Sequence, residues 1–393
     1  MDTFSFLPKN FNGKTGIIII FKKSDSLLAE ESKKEMESLC STLGITSKSL
    51  ILNPLVKINP ATYIGKGKVE EIKNYLTSEK IDFVIFEKEL SPVQQRNLED
   101  FWGIKVIDRT GIILSIFAKH AHTLEGKLQV ELANLNYMLP RLAGSGFGLS
   151  RLGGTIGTRG PGEQKIEIQR RRARERIKWL NDKIKEIEKH RKIIRESRER
   201  KEIPVVAIVG YTNVGKSTLI NKLIHKQDAY TDNRLFSTLD PLTRIVYLND
   251  NHYILASDTV GLLADLPHHL ISAFKATLEE LKFADFLVIV FDSTSPFIEK
   301  QMKTVNEVIN LLDIENKPRI EIFNKTDLIS QDELIILKRR YPENLFISAV
   351  NGDGVSLLKE CIYKKIYKND EEKENISKTK KYEETYCPDY RCN

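Results

Sequence analysis

The segment GYTNVGKS, from Gly210 to Ser217, constrains this chain more than any other feature of its sequence. It follows the apolar run PVVAIV and precedes the helical run STLINKLI, so it predicts a glycine-rich turn between a strand and a helix, a P-loop. In such a turn, backbone N–H groups face phosphates, while Lys216 neutralises β- and γ-phosphate oxygens and the Ser217 hydroxyl ligates Mg²⁺. The predicted phosphate-binding residues are Gly210, Tyr211, Thr212, Asn213, Val214, Gly215, Lys216 and Ser217.

A second motif, DTVG, comprises Asp258, Thr259, Val260 and Gly261 and follows the strand-like run HYILAS. At a strand end, the Asp258 carboxylate is placed to hold the water shell of Mg²⁺, and the Gly261 N–H can donate to a γ-phosphate. Alone, DTVG also fits an ordinary exit from a strand, just as the P-loop pattern alone fits a turn that binds nothing. The order of the motifs along the chain favours a nucleotide site.

Two further motifs concern the base of the nucleotide. NKTD, residues 324–327, ends the apolar run IEIF, and SAV, residues 348–350, follows LFI. The Asp327 carboxylate can accept hydrogen bonds from guanine N1 and N2, a donor pair that adenine lacks, so the site discriminates against ATP. Together the motifs predict a GTPase. The base-side residues are Asn324 and Lys325, which hold the base and brace the P-loop, then Thr326 and Asp327, and Ser348, Ala349 and Val350, which offer a backbone N–H to guanine O6.

The segment LFSTLDPLTR lies between the P-loop helix and DTVG, where we expect residues that order around the γ-phosphate. Thr238 is the predicted ligand of Mg²⁺ and the γ-phosphate; Thr231 and Thr243 compete for this role, although Thr231 also suits a loop and Thr243 the strand TRIVYL. The nucleotide contacts predicted here are Phe236, Ser237, Thr238, Leu239 and Asp240. The predicted catalytic residues are Lys216, Thr238 and Gly261, and the predicted Mg²⁺ ligands are Ser217, Thr238 and, through water, Asp258.

The residues after DTVG bear on hydrolysis. The Ras-like class places a water-orienting glutamine here, but this chain has Leu262 followed by Leu263, and leucine cannot hydrogen-bond water. We therefore expect slow intrinsic hydrolysis, with the water positioned by a partner, a backbone group or a cation near the P-loop. Asn213 is a candidate ligand for a monovalent cation such as K⁺. The equally supported alternative is that Asn213 is a turn residue that tolerates unusual backbone angles.

Positive charge is concentrated in one part of the chain. The net charge is +7, but residues 163–202 hold 16 Lys/Arg against 9 Asp/Glu, and residues 141–162 add three arginines and no acid. This region thus carries +10 and the remainder −3. Because it lacks an apolar face rich in Trp or Phe, such a surface favours RNA over a membrane. The alternative is a solvated helix rich in Lys, Arg and Glu.

Other features indicate the compartment. No apolar run approaches the roughly 20 residues that a membrane span needs, and the start MDTFSFLPKN shows no secretory signal pattern. Cys40, Cys361, Cys387 and Cys392 are scattered rather than arranged in metal-ligand pairs, and the last two are interpreted as free thiols in a reducing cytosol. We expect a cytoplasmic monomer.

Apolar patterning predicts how the chain is divided. From Gly16 to Asp108, the runs GIIIIF, SLILN, DFVIFE and KVID alternate with helical stretches, which predicts parallel strands with crossover helices. Apolar residues at three- and four-residue steps from Ile113 to Leu139 predict one long amphipathic helix, and a second stripe runs from Ala173 to Ile194. Between them, residues 143–162 contain eight glycines, two arginines and no acid, and we expect a basic loop at the tip of a helical hairpin.

The sequence therefore predicts an α/β protein in four parts. Residues 1–108 form an N-terminal parallel α/β domain, and residues 109–202 form a long antiparallel helical hairpin. Residues 203–367 form a doubly wound P-loop G domain, and residues 368–393 form a charged, disordered tail.

The chain resembles the HflX family of ribosome-associated GTPases, which belong to the translation-factor-related P-loop class. The resemblance covers about residues 50 to 350 and rests on these segments: ATYIGKGKVEEI, VIFEKELSPVQQRNLE, VIDRTGIILSIFAKHAHTLEGKLQVELANLNYMLPRL, GTRGPGEQKIE, VGYTNVGKSTLINKL, LFSTLDPLTR, DTVGLLADLPHHLISAFKATLEE and NKTDL. Leu262 replaces the usual phenylalanine after DTVG and keeps its apolar character. After about Lys364 the chain is too short for the small C-terminal domain of many members.

The resemblance implies binding to the large ribosomal subunit and its RNA, with residues 143–162 directed at the peptidyl transferase region. It also implies GTP-driven release of stalled or hibernating ribosomes. Two alternatives stay open at this stage: a GTPase that assists large-subunit assembly, and a tRNA-modification partner whose N-terminal domain binds tRNA or a methyl donor. No second catalytic constellation in the sequence supports the tRNA-modification alternative.

Base recognition by Asp327 is testable through one substitution. Asp327→Asn should weaken GTP binding by several kcal/mol, because two guanine donors lose a charged acceptor, and xanthosine triphosphate should then be preferred. Calorimetric titration of the wild type and the variant with both nucleotides measures this exchange of preference. Unchanged GTP affinity in the Asp327→Asn variant would remove the base-recognition argument.

Overall fold

The computed structural model describes residues 11–22, 26–52, 57–142, 161–199, 203–224, 243–249, 251–258, 261 and 281–368. The chain divides into two compact units: among these residues, the first unit ends at Ile193 and the second begins at Ile194. Within the described segments, no helix is long and apolar enough to cross a membrane.

The first unit begins with a parallel sheet. Its elements are β1 (Thr15–Phe21), α1 (Ser26–Leu43), β2 (Thr46–Leu52), α2 (Lys66–Ser78), β3 (Phe83–Phe86), α3 (Pro92–Trp102) and β4 (Lys105–Asp108). The strand order is β2-β1-β3-β4, and every pair is parallel. Residues 17–20 of β1 are at most 1% exposed, as expected for a central strand that is covered on both faces. The predicted parallel sheet with crossover helices is confirmed.

The apolar stripe from Ile113 to Leu139 belongs to two helices, α4 (Arg109–His120) and α5 (Leu124–Leu142), so the prediction of one long helix is wrong. Ala121 adopts an extended conformation that separates them. Ile113 and Phe117 are buried in the first unit, whereas Leu124 is 69% exposed. The apolar spacing continues across the break because each helix buries its own face, so periodicity alone does not detect it.

The second predicted stripe lies in α6 (Pro161–Glu199), and it is confirmed from Ala173 to Ile187. Its residues Ala173, Leu180 and Ile184 form one apolar cluster with Leu128 and Leu135 of α5. Ala173 and Leu180 are fully buried. The two helices therefore pack along a common apolar seam, as predicted for the pair.

The second unit contains a sheet of six strands in the order β10-β9-β8-β5-β7-β6 within the described residues. Its elements are β5 (Val205–Gly210), α7 (Lys216–Leu223), β6 (Thr243–Tyr247), β7 (Tyr253–Asp258), β8 (Phe286–Asp292), α8 (Ile298–Leu311), β9 (Arg319–Asn324), α9 (Gln331–Arg340), β10 (Leu345–Phe346) and α10 (Val355–Tyr363). Only the β6–β7 pair is antiparallel among these strand pairs. The parallel strands β5, β7 and β9 end at Gly210, Asp258 and Asn324, so these residues lie at one edge of the sheet, where α/β proteins bind ligands.

A buried charge network fixes α5 on the sheet of the first unit. Asp108, fully buried at the end of β4, accepts hydrogen bonds from the Leu90 and Gly111 N–H groups at 3.1 and 2.9 Å. From α5, the Tyr137 hydroxyl donates to Asp108 at 2.8 Å, and Arg141 Nη2 lies 3.1 Å from the same carboxylate. Burial, followed by the Asp108 charge, raises the pKa of Tyr137 well above its ordinary value. The negative charge of the Asp108 carboxylate is thus balanced by polar groups from the loop before α3, from α4 and from α5.

Removal of the arginine should destabilise the first unit. Arg141→Met leaves the buried Asp108 carboxylate without its charged partner, and we expect a loss of about 3 kcal/mol in unfolding free energy. Lys14→Met is the matched control, because its ion pair with Asp82 is more than a quarter exposed on both sides and contributes under ~1 kcal/mol. Urea unfolding followed by tryptophan fluorescence measures both losses, since Trp102 and Trp179 both lie in the first unit. Equal losses would contradict the role given to Asp108.

Candidate nucleotide-binding site

The P-loop has the backbone that its glycines and asparagine predict. A Cβ atom at Gly210 would lie 2.4 Å from the Val290 carbonyl oxygen of β8, so only glycine fits where β5 ends. Asn213 and Gly215 adopt left-handed angles, with φ of 62° and 91°. The backbone of Asn213 therefore has the geometry of the turn-residue interpretation, and its role as a K⁺ ligand stays a prediction.

Lys216 is folded over the loop that precedes it. Its Nζ atom donates to the carbonyl oxygens of Gly210 and Tyr211 at 3.2 and 2.9 Å, and the residue is only 7% exposed. Burial lowers the pKa of Lys216 from 10.5 to about 8, against a smaller opposing effect of Asp258. The loop thus holds a poorly solvated ammonium group at the place where phosphate charge is predicted.

Ser217 and Asp258 bring two oxygen ligands together. The Ser217 hydroxyl, in the first turn of α7, donates to Asp258 Oδ2 at 2.7 Å, and Asp258 is 3% exposed at the end of β7. Hydroxyl and carboxylate oxygens are the donors that Mg²⁺ prefers, so these two residues fit the predicted metal site. A bound Mg²⁺ would supply positive charge to the β- and γ-phosphates.

Gly261 of DTVG lies against the P-loop. A Cβ atom at Gly261 would approach Thr212 Cγ2 to 2.6 Å, Thr212 Cα to 2.9 Å and Lys216 Nζ to 3.3 Å. No other residue fits this approach without moving the P-loop backbone. The structure therefore brings the first two motifs together at the side of the loop that carries Lys216.

Asn324 connects three of the motifs through one side chain. Its Nδ2 atom donates to the Val214 carbonyl oxygen of the P-loop at 2.8 Å, and its Oδ1 atom accepts from the Ala349 N–H at 2.9 Å. Asn324 is 2% exposed. The predicted brace between NKTD and the P-loop is thus present for Asn324. Lys325, with a φ of 66°, forms an ion pair with Asp292 at 2.6 Å.

Asp327 is exposed and held by the fourth motif. The Ser348 hydroxyl donates to Asp327 Oδ1 at 2.6 Å and accepts from the Asn351 N–H at 3.1 Å. The Thr326 N–H donates to the Ile347 carbonyl oxygen at 3.2 Å, which aligns NKTD with SAV. Val350 is 67% exposed. The base-side residues of both motifs therefore lie together, as their order along the chain predicts.

Two supporting residues were not found from the sequence. Lys222 of α7 donates from Nζ to the Val350 carbonyl oxygen at 3.2 Å and lies against Gly352, whose φ is 97°. Asp292, at the end of β8, orients Lys325. The closely spaced Gly352 and Gly354 are the sequence signal for the tight turn after SAV; nothing local indicates the Lys222 contact.

Several predicted residues lie outside the described residues, and their roles stay predictions. Thr243 is described, and it is the first residue of β6, paired with Ser257 of β7. This position agrees with the alternative that Thr243 belongs to a strand. The predictions outside the described residues concern Thr231, Phe236, Ser237, Thr238, Leu239, Asp240, Thr259, Val260, Leu262 and Leu263.

The lowered pKa of Lys216 predicts a pH-dependent stability. In the nucleotide-free protein, burial of protonated Lys216 lowers the free energy of unfolding, and this loss is largest below pH ~8. Between pH ~8 and 10.5 the folded state releases the proton while the unfolded state still binds it, so the loss becomes smaller as the pH rises. The stability of the wild type relative to Lys216→Met should therefore rise by up to roughly 3 kcal/mol over this range. Urea unfolding followed by circular dichroism measures it. Ser217→Ala keeps the Lys216 amine, so it should keep the pH dependence of the wild type. If the free energies of unfolding of the wild type and Lys216→Met changed in parallel with pH, the buried ammonium would be contradicted.

Family models match three consecutive parts of the chain. The model described as GTP-binding GTPase N-terminal matches residues 30–118, and GTP-binding GTPase Middle Region matches residues 120–198. The model described as 50S ribosome-binding GTPase matches residues 205–325, which include the first two motifs and the start of the third. Together the three matches cover well over half of the chain.

Individual relatives agree with these models. The chain is 47% identical to the GTPase HflX of Caldanaerobacter subterraneus subsp. tengcongensis over 87% of its own length and 78% of that protein. It is 38% identical to the GTPase HflX of Escherichia coli over 86% and 79% of the two chains. The crystal structure of SsGBP with GDP matches with a TM-score of 0.52 and 27% identity, over 90% of this chain and 99% of the other. The chain is therefore a GTPase, and it belongs to the HflX family.

Proposed function

We propose that this GTPase binds the large ribosomal subunit and uses GTP binding and hydrolysis to dissociate stalled or hibernating ribosomes. The observation that carries the proposal is the match of residues 205–325 to a model described as 50S ribosome-binding GTPase. The contacts of Asn324 and Gly261, which bring the four nucleotide motifs together, support it. GTP and GDP are then the alternating ligands, and ribosomal RNA is the principal partner.

The charge of α6 supports an RNA partner. Arg171, Arg172 and Arg174 are exposed on this helix, and Arg170 is half-buried beside them. Their positive charge is available to phosphates, so binding should weaken as salt rises. The second unit supplies the nucleotide site, and the first unit supplies this basic surface.

The nucleotide chemistry assigns a role to each motif. Lys216 neutralises the β- and γ-phosphates, and Ser217, with Asp258 through water and Thr238, holds Mg²⁺. Gly261 donates its N–H to the γ-phosphate, and Asp327 selects guanine. Leu262 cannot orient the attacking water, so the ribosome is expected to complete the site, and K⁺ near Asn213 is the candidate cation for stimulation.

We propose the domain boundaries that the sequence predicts. Residues 1–108 and 109–202 make the ribosome-binding part, residues 203–367 make the G domain, and residues 143–162 reach into the subunit. Replacement of residues 143–162 by a short neutral linker should leave GTP affinity unchanged but uncouple ribosome binding from subunit release.

Sedimentation in sucrose gradients tests the proposal. With a non-hydrolysable GTP analogue, the protein should migrate with mature large subunits, and with GTP it should convert intact ribosomes into subunits. Asp327→Asn is the matched control: it should require the xanthosine analogue for the same migration, which ties binding to the nucleotide state of the G domain. Migration with precursor particles would instead indicate an assembly factor, and migration with no ribosomal particle would refute the proposal.

A further inference from the structure

The two tryptophans of the chain have opposite environments. Trp102 at the end of α3 is 7% exposed, and its indole N–H donates to the Val69 carbonyl oxygen at 2.9 Å. Trp179 in the middle of α6 is 43% exposed. Trp102 is thus part of the core, whereas nearly half of Trp179 faces solvent on α6, a helix rich in Arg and Lys.

Trp179 is held in place from both helices of the pair. The guanidinium carbon of Arg176 lies 4.1 Å from the Trp179 ring centroid, a cation–π contact. Arg176 donates from Nε and Nη2 to the two carboxylate oxygens of Glu131 on α5, at 2.7 and 2.9 Å. The hydrogen bond from Arg176 to Glu131 raises the pKa of Arg176. This bidentate pair fixes the guanidinium plane, so the indole ring rests on a positioned support and not on a freely rotating side chain.

The charges on α6 just before Trp179 fit a polyanion. From Arg170 to Lys178 there are six Arg or Lys residues and one acid, Glu175, which faces Arg171 at 3.8 Å. One helical turn from Trp179 lie Glu175, Asp182 and Lys183, all of them charged. An indole that enters a membrane has apolar neighbours on the same face, and here the neighbours are charged.

We propose that Trp179 is a stacking site for an unpaired RNA base. A flat aromatic surface among exposed arginines is the combination that binds single-stranded RNA, because the ring stacks on the base while the arginines contact the flanking phosphates. Arg171, Arg172 and Lys178 supply the phosphate contacts, and Arg176 is a positioning residue that orients the ring. The inference deepens the proposed function, on which it rests for the class of partner, by naming the RNA element that this helix recognises.

Fluorescence of the full-length protein tests the site. A single-stranded oligouridine of about ten nucleotides should quench the exposed tryptophan, whereas the matched duplex should not. Trp179→Phe should lose the quenched component and leave the emission of Trp102 in place. Trp179→Ala should weaken oligouridine binding by roughly 5- to 150-fold without changing its salt dependence. Arg172→Gln is the control, because it should reduce the salt dependence and keep the quenching.

The positioning role of Arg176 has its own measurement. Arg176→Met removes the planar support, so it should lower the fluorescence anisotropy of Trp179 in the free protein and weaken oligouridine binding. Arg176→Lys keeps the charge but loses the bidentate pair, so it should also lower the anisotropy. Unchanged anisotropy in both variants would reduce Arg176 to one more phosphate contact.

Failure of this site and failure of the proposed function have different signatures. Wild-type migration of Trp179→Ala with large subunits, together with unquenched emission of the wild type in oligouridine, would overturn the stacking site and leave the ribosomal function intact. Quenching by oligouridine in a protein that does not migrate with ribosomes would keep the stacking site and overturn the proposed function. Quenching by anionic phospholipid vesicles but not by RNA would show that Trp179 is a membrane contact and overturn the proposal.

Discussion

The amide of Asn324 is the contact on which the nucleotide site depends. Its two polar atoms connect Val214 of the P-loop with Ala349 of SAV, and the group is almost completely buried. A buried amide that loses either partner leaves unsatisfied hydrogen-bonding groups, so the arrangement is all-or-none. The phosphate side and the base side of the site are therefore held at a fixed separation, and the distance between Lys216 and Asp327 is set before any ligand arrives.

Much of the site could be predicted because its determinants are local. The spacing of Gly210, Gly215 and Lys216 specifies one turn geometry, and the strand-like runs before the motifs place them at one sheet edge. The contacts that complete the site are not local: Lys222 and Val350 are separated by 128 positions in the chain. No sequence pattern in a single chain reveals such a pair. Residues whose structure is not described, Thr238 above all, keep only the support of their motif.

The fold shows the same division between local and distant determinants. Alternation of apolar runs and helical stretches is sufficient for the parallel sheet of the first unit, since burial on both faces demands continuous apolar strands. The break at Ala121 escaped prediction because α4 and α5 both continue the apolar spacing while burying it against different surroundings. Asp108 and Arg141 likewise occur in the sequence as an ordinary strand end and one basic residue among many. Their pairing depends on tertiary contact alone.

The Asp108 network also has a mechanical consequence. Because Arg141 reaches Asp108, Gln95 and the Leu90 carbonyl oxygen from the last turn of α5, that turn cannot rotate without breaking hydrogen bonds to the sheet. The C-terminal end of α5 is therefore anchored to β4, to α3 and to the loop before α3, and it keeps a fixed position on the sheet of the first unit.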